Sequence, residues 1–157
     1  MSDAAEPECA ELVLWRHAEA ADTEPDFDRE LTRRGRRQAA KVARWLGKRL
    51  PADARILVSP AARAQQTALA LTDEFETDER LSVGADAPSV LAALDYPPLA
   101  RVTVVVGHQP TLGLVASYLL LGAPVDWAIG KGGLVWLRKR ADDDRVRLRA
   151  ALSPSLV

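Results

Sequence analysis

The sequence is poor in the residues that build disulfides, thiolate metal sites and membrane spans. Its one cysteine, Cys9, lies near the amino terminus. A lone thiol excludes an internal disulfide and a thiolate zinc site, and nothing points to an oxidising compartment. No apolar run reaches the roughly 18 residues of a membrane-crossing helix; the longest candidate lies around Leu112 to Leu121. The opening residues MSDAAEPECA are acidic and lack the basic and apolar regions of a signal peptide. Residues 1–10 are therefore expected to form a disordered tail, and the protein to be soluble and cytoplasmic. Net charge is scarce as well. With 21 Lys and Arg against 22 Asp and Glu, the balance is −1, which leaves no global footprint for nucleic acid or an anionic membrane. Any anion must be bound locally.

The chain has 157 residues and is 48% hydrophobic, which suits one globular domain over residues 11–157. Leu12 to Trp15 form a short apolar run that stops at Arg16 and His17, as a buried parallel strand would. A polar, acidic loop follows from Asp22 to Glu30. Thr32 then caps a helix to about Leu50 that carries Ala39, Val42, Trp45, Leu46 and Leu50 on one face, and Pro51 ends it. Ile56 to Val58 read as a second strand, with Ser59 and Pro60 as N-cap and first residue of an alanine-rich helix from Ala61 to Leu71. Asp73 to Ala87 are polar and match no element, whereas Pro88 and Ser89 open a short helix bearing Val90, Leu91 and Leu94. Val102 to Val106 make a β-branched strand bounded by Gly107, and an apolar helix runs from Pro110 through Leu121. Gly133–Arg138 and Val146–Ala150 alternate like half-exposed strands about a turn at Ala141–Asp144, which predicts a hairpin at one sheet edge. The expected fold class is α/β: a three-layer sandwich with a mostly parallel central sheet and helices on both faces.

Ligands of such sheets bind beyond the carboxyl ends of the strands. His17 and His108 are the chain's two histidines, and each directly follows a predicted strand. Arg16 adjoins His17, and Arg63 falls near the start of the helix after the second strand, where backbone N–H groups and the helix dipole favour anions. Arginine's planar fork matches phosphate oxygens, so the set suits a phosphoryl group. A neutral imidazole can attack phosphorus through a ring nitrogen. Any one of these residues alone is better read as structural; their joint arrangement is what favours catalysis. A metal site is the rival reading of two histidines, but carboxylates such as Glu19 show no ligand spacing and the arginines would repel a cation. No metal and no cofactor are expected.

Leu12-Val13-Leu14-Trp15-Arg16-His17-Ala18-Glu19-Ala20 resembles the strand and Arg-His-Gly motif of the histidine phosphatase superfamily, also called phosphoglycerate mutase-like. Leu31-Thr32-Arg33-Arg34-Gly35 with Gln38-Ala39, Ser59-Pro60-Ala61-Ala62-Arg63-Ala64-Gln65-Gln66-Thr67-Ala68, and Val106-Gly107-His108-Gln109-Pro110 follow in the family's order. The resemblance covers residues 12 to about 121, and the short chain is similar to the SixA-type phosphohistidine phosphatases. It implies the phosphoglycerate mutase-like fold, His17 as nucleophile, Arg16 and Arg63 as phosphate clamps, and His108 as a second histidine at the phosphoryl group. Ala18 stands where the family usually has glycine, which requires a backbone without positive φ and room for a methyl group.

Larger family members carry a glutamate acid after the second helix, and Glu76, Glu79 and Asp86 do not match it clearly. An alkoxide leaving group needs that proton, whereas imidazole leaves readily from a labile P–N bond. The expected activity is therefore hydrolysis of phosphohistidine on a partner protein of the histidine-containing phosphotransfer type, through a covalent intermediate at His17. The alternatives are a phosphatase of a small phosphomonoester and a phosphate-binding interaction module without catalysis.

Overall fold

The computed structural model describes residues 8–95 and 101–157. The apolar run at Leu12–Trp15 is the centre of a longer strand, β1 (Cys9–Arg16). β1 lies between β4 (Val102–Gly107), to which it is parallel, and β5 (Leu134–Arg140), to which it is antiparallel. With β2 (Arg55–Val58), β3 (Glu76–Thr77) and β6 (Val146–Leu152), these make a six-stranded sheet in the order β3-β2-β4-β1-β5-β6. β3, β2, β4 and β1 run parallel, and the β5–β6 hairpin closes one edge. Cys9 and Ala10, expected in the tail, instead pair with Arg140 and Lys139. The β5 strand supplies their partners, which no local pattern reveals. The rest of the expected tail, residues 1–7, lies outside the described residues.

Both faces of the sheet are apolar because its central strands are buried on both sides. Leu12 and Leu14 point to one face, where they join Val90, Leu112 and Val115 from α3 (Ala87–Ala93) and α4 (Thr111–Leu121). Val13 and Trp15 point to the other and meet Val42, Leu46, Ala64 and Ala68 from α1 (Arg33–Gly47) and α2 (Ala62–Leu69). The result is the expected three-layer α/β sandwich. No helix among the described residues is long and apolar enough to cross a membrane.

Thr32 caps α1 as expected, its Oγ1 accepting the Gly35 N–H at 2.9 Å. Gly35 is obligatory there, since a Cβ would collide with the backbone carbonyl of Glu19. The α2 cap differs from expectation: the helix starts at Ala62 with Ala61 as N-cap. Ser59 Oγ lies instead within hydrogen-bond distance of His108 Nε2. The unassigned polar segment holds the two-residue β3, which exists only by pairing with Leu57 and Val58, and a 3-10 turn at Glu79–Leu81.

Candidate active site

The register of β1 on β4 sets Arg16 opposite Gly107, and the His17 N–H donates to the Gly107 carbonyl at 3.0 Å. The residues that follow the two strands are thereby forced side by side, and the His17 and His108 rings lie 5.1 Å apart. β2 adjoins β4 on its other side, and the Ser59 N–H donates to the Val106 carbonyl. The loop that leads to Arg63 therefore starts beside His108. The structure brings together all four residues that the sequence singled out.

His17, His108 and Arg16 are each anchored through one polar atom, and Arg63 through two. His17 Nδ1 donates to the Ala18 carbonyl at 2.8 Å. A carbonyl can only accept, so in the neutral ring the free lone pair sits on Nε2. His108 Nε2 lies 2.7 Å from Ser59 Oγ, which itself accepts the Ala61 N–H at 3.3 Å. With the Ser59 hydroxyl donating to Nε2, the ring hydrogen is on Nδ1. Arg16 Nη1 donates to the Ile129 carbonyl at 2.8 Å. Arg63 donates through Nη1 to the Asp26 carbonyl at 2.8 Å and through Nη2 to Asp26 Oδ2 at 3.2 Å. Arg16 Nε, Arg63 Nε and His108 Nδ1 remain buried without a protein partner, three of only five such side-chain atoms among the described residues. A buried donor without a partner costs about 1–3 kcal/mol. Each is a donor of the kind that the acceptor oxygens of a bound oxyanion satisfy.

Electrostatics keeps both imidazoles neutral. Desolvation pushes the His17 pKa down to about 4; the hydrogen bond to the Ala18 carbonyl is the next largest effect and opposes it, and repulsion from Arg63, Arg16 and Arg29 adds smaller downward contributions. Desolvation also pushes His108 down, to about 3, helped by His17 and Arg63. Leu81, Val90, Val105 and Leu112 line a small apolar cleft beside His108. At neutral pH His17 thus presents a lone pair, while the positive charge of the site resides on guanidiniums.

Ala18 meets both conditions set by the sequence. Asp95 is the only non-glycine residue with positive φ among those described, and the Ala18 methyl packs in a small apolar cluster with Leu31 and Ala39. Its N–H donates to Thr67 Oγ1 at 3.0 Å, tying the His17 loop to α2.

The sequence reading missed Asp26 and Arg29, which lie in the acidic loop. Asp26 Oδ1 accepts from Arg29 Nη1 at 3.2 Å while Oδ2 accepts from Arg63. The i,i+3 spacing of the two residues, within one helical turn, was the available clue. Partial desolvation would raise the Asp26 pKa, but hydrogen bonds from Arg29 and Arg63 outweigh it and hold the group below the ordinary carboxylate value. The carboxylates considered as general acids are engaged elsewhere or exposed: Glu76 pairs with Arg55, Asp86 caps α3 through the Ser89 N–H, and Glu79 is exposed in its 3-10 turn.

A histidine pair and two guanidiniums at the carboxyl edge of a parallel sheet are the equipment of a phosphatase. The comparisons give the class its family: the chain belongs to the histidine phosphatase superfamily (branch 1), whose family model matches residues 12–83. It is 36% identical over 122 residues to an uncharacterised protein of Mycobacterium tuberculosis, an alignment that covers 74% of this chain and 76% of the relative. Its structure resembles that of a protein assigned as phosphohistidine phosphatase SixA from Nakamurella multipartitia, with a TM-score of 0.79 and 27% identity over 95% of this chain and 98% of that one. A SixA assigned likewise in Agrobacterium tumefaciens gives 0.77 and 28%, over 92% and 98%. Phosphatases named for small phosphate esters share the fold at lower identity.

Proposed function

We propose that the protein hydrolyses the P–N bond of phosphohistidine on a partner protein, without a metal, through a covalent intermediate at His17. The observation that carries this reading is the state of the carboxylates. Asp26, the carboxylate bonded to Arg63, is held ionised by two arginines. It is therefore a poor proton donor, and the other candidates are engaged elsewhere or exposed. Such a site favours a leaving group that departs without strong acid help, and imidazole is one.

In this mechanism His17 Nε2 attacks phosphorus in line as the substrate P–N bond breaks. The imidazole, already protonated on its distal nitrogen, takes the electron pair and leaves as the neutral ring. Arg16 Nε, Arg63 Nε and His108 Nδ1 donate to the equatorial oxygens, where charge accumulates in a loose transition state. Water then attacks the phosphohistidine intermediate, releasing phosphate and restoring neutral His17. No group of three His, Cys, Asp or Glu side chains among the described residues is placed to hold a metal ion.

The test is kcat/KM across leaving groups: a phosphohistidine peptide, aryl phosphates and alkyl phosphates, with chelator present throughout. Phosphohistidine should exceed alkyl phosphate by at least the roughly 100-fold that general-acid assistance supplies. His17→Ala should abolish turnover and ³²P-labelling of the chain. Fast alkyl phosphate hydrolysis that collapses in Glu79→Gln or Asp86→Asn would instead establish the small-phosphomonoester phosphatase.

A further inference from the structure

None of the 22 acidic residues lies between Glu30 and Asp53, and within that interval α1 carries an unbroken series of cations. At about 100° per residue, Arg33, Arg34, Arg37, Lys41, Arg44 and Lys48 fall within an arc of about 100°. Gly35, Ala39, Val42, Ala43 and Leu46, the buried side of the helix, lie opposite that arc. All six cations are exposed. Among the described residues Arg34 alone of the six is ion-paired, loosely, at 3.8 Å to Glu19 Oε2. The basic hairpin behaves differently: there Arg138, Arg140, Arg145, Arg147 and Arg149 are each paired with Glu11, Asp142 or Asp143. Like charges at i,i+3 and i,i+4, and arginines in the first turn against the helix dipole, both work against α1. The stripe is thus a destabilising feature that local carboxylates could have relieved, as they do on the hairpin.

Its position gives the stripe a use. The first turns of α1 are packed on the loop that carries the nucleophile: the Thr32 N–H donates to the Glu19 carbonyl at 3.0 Å and the Glu19 N–H to Gln38 Oε1 at 3.0 Å. Glu19 is two residues from His17. From there the 15-residue helix extends the stripe for about 22 Å, the scale of a protein surface and not of a metabolite. The helix's one aromatic, Trp45, is half-buried, set edge-on to Trp136 and covered by the Arg49 guanidinium, so no stacking platform for nucleic acid bases interleaves the cations.

We infer that the exposed face of α1 is a docking surface for an acidic face of the phosphorylated protein substrate, steering its phosphohistidine onto His17. This deepens the proposed function and rests on it. The stripe speeds encounter and confers salt dependence, while the chemistry stays with Arg16, His17, Arg63 and His108.

The test uses the full chain and a fourfold variant, Arg37→Gln, Lys41→Gln, Arg44→Gln and Lys48→Gln, whose residues are exposed and outside the site. Glutamine is a good helix former, so circular dichroism should be unchanged. Fluorescence anisotropy is measured with an unphosphorylated peptide bearing six glutamates, its glutamine counterpart, and a single-stranded RNA of equal charge. Phosphohistidine peptides with glutamate or glutamine flanks are compared as substrates, and p-nitrophenyl phosphate reports basal activity. We expect the acidic flank to raise kcat/KM by about tenfold at low salt, and that advantage to vanish in 0.5 M salt and in the variant, with p-nitrophenyl phosphate turnover unchanged. Equal binding of the glutamate and glutamine peptides, or an advantage that survives in the variant, overturns the docking surface. Tighter binding of RNA than of the acidic peptide, lost in the variant, overturns the partner class in favour of nucleic acid. Turnover of p-nitrophenyl phosphate but of neither phosphohistidine peptide overturns the substrate reading, and anisotropy then decides the docking face independently.

Discussion

Replacing Arg63 by methionine removes one guanidinium while keeping an unbranched side chain of similar reach. In the native protein this side chain is 5% exposed, with both terminal nitrogens bonded to Asp26 and Nε without a protein partner. If Nε makes one charge-assisted bond to the bound oxyanion, its loss removes about 1.5–3 kcal/mol, or roughly a 10- to 150-fold weaker Kd for tungstate. Charge increases at the equatorial oxygens in the transition state, so kcat/KM should fall further, by about 100- to 1,000-fold. Stability should change far less. The Asp26 side chain is 52% exposed and recovers water when its partner leaves, which limits the cost to about 1 kcal/mol or less, a few degrees in Tm. Calorimetric titration with tungstate and a thermal scan without it separate the two effects. A variant that binds tungstate as wild type does would refute the clamp. One that loses affinity only because it has unfolded would show in the scan.

Four further outcomes follow from the same geometry. With two histidines in the chain, their imidazole resonances are easily assigned, and His17 should titrate near 4, not near the ordinary 6.5; a midpoint at 6.5 would contradict the desolvation argument. Because this folded pKa is depressed, the unfolded chain binds more protons between about 6.5 and 4. Stability in urea should therefore be full above 6.5 and fall toward pH 4, with His17 alone contributing on the order of 3 kcal/mol and the depressed His108 adding to the loss; a flat profile would show that the groups titrate normally. Ser59→Ala should leave His108 Nε2 without its partner and lower kcat about 10- to 100-fold, with a shifted His108 titration distinguishing loss of orientation from general damage. Gly35→Ala should cost about 1–3 kcal/mol, because backbone at Glu19 cannot move aside for the new methyl without dragging the His17 loop; wild-type stability and activity together would disprove that close approach.

Much of the fold was legible because its determinants are local. The β1 core, α1 with its Thr32 cap, β4 with α4, and the terminal hairpin follow from apolar period, capping chemistry and proline position, all read within one or two turns of chain. β3 was not legible, since a two-residue strand is defined by its neighbour β2 and not by its own composition. Ser59 was read as a cap because its sequence neighbours suit one, and the histidine 49 residues away that it contacts is invisible locally.

The sequence by itself determined which residues could do chemistry: Arg16, His17 and His108 at the ends of strands and Arg63 at the start of the helix after another, in spacings that resemble one superfamily. Tertiary structure decided how each is held and therefore what state it is in. Asp26 reaches Arg63 across 37 residues, and the Ile129 carbonyl reaches Arg16 across 113. Such contacts depend on where loops return after the sheet has formed, and burial then sets the imidazole protonation that the mechanism needs. Side-chain identity is written along the chain; desolvation, tautomer and which donors remain unpaired are properties of the assembled surface around it.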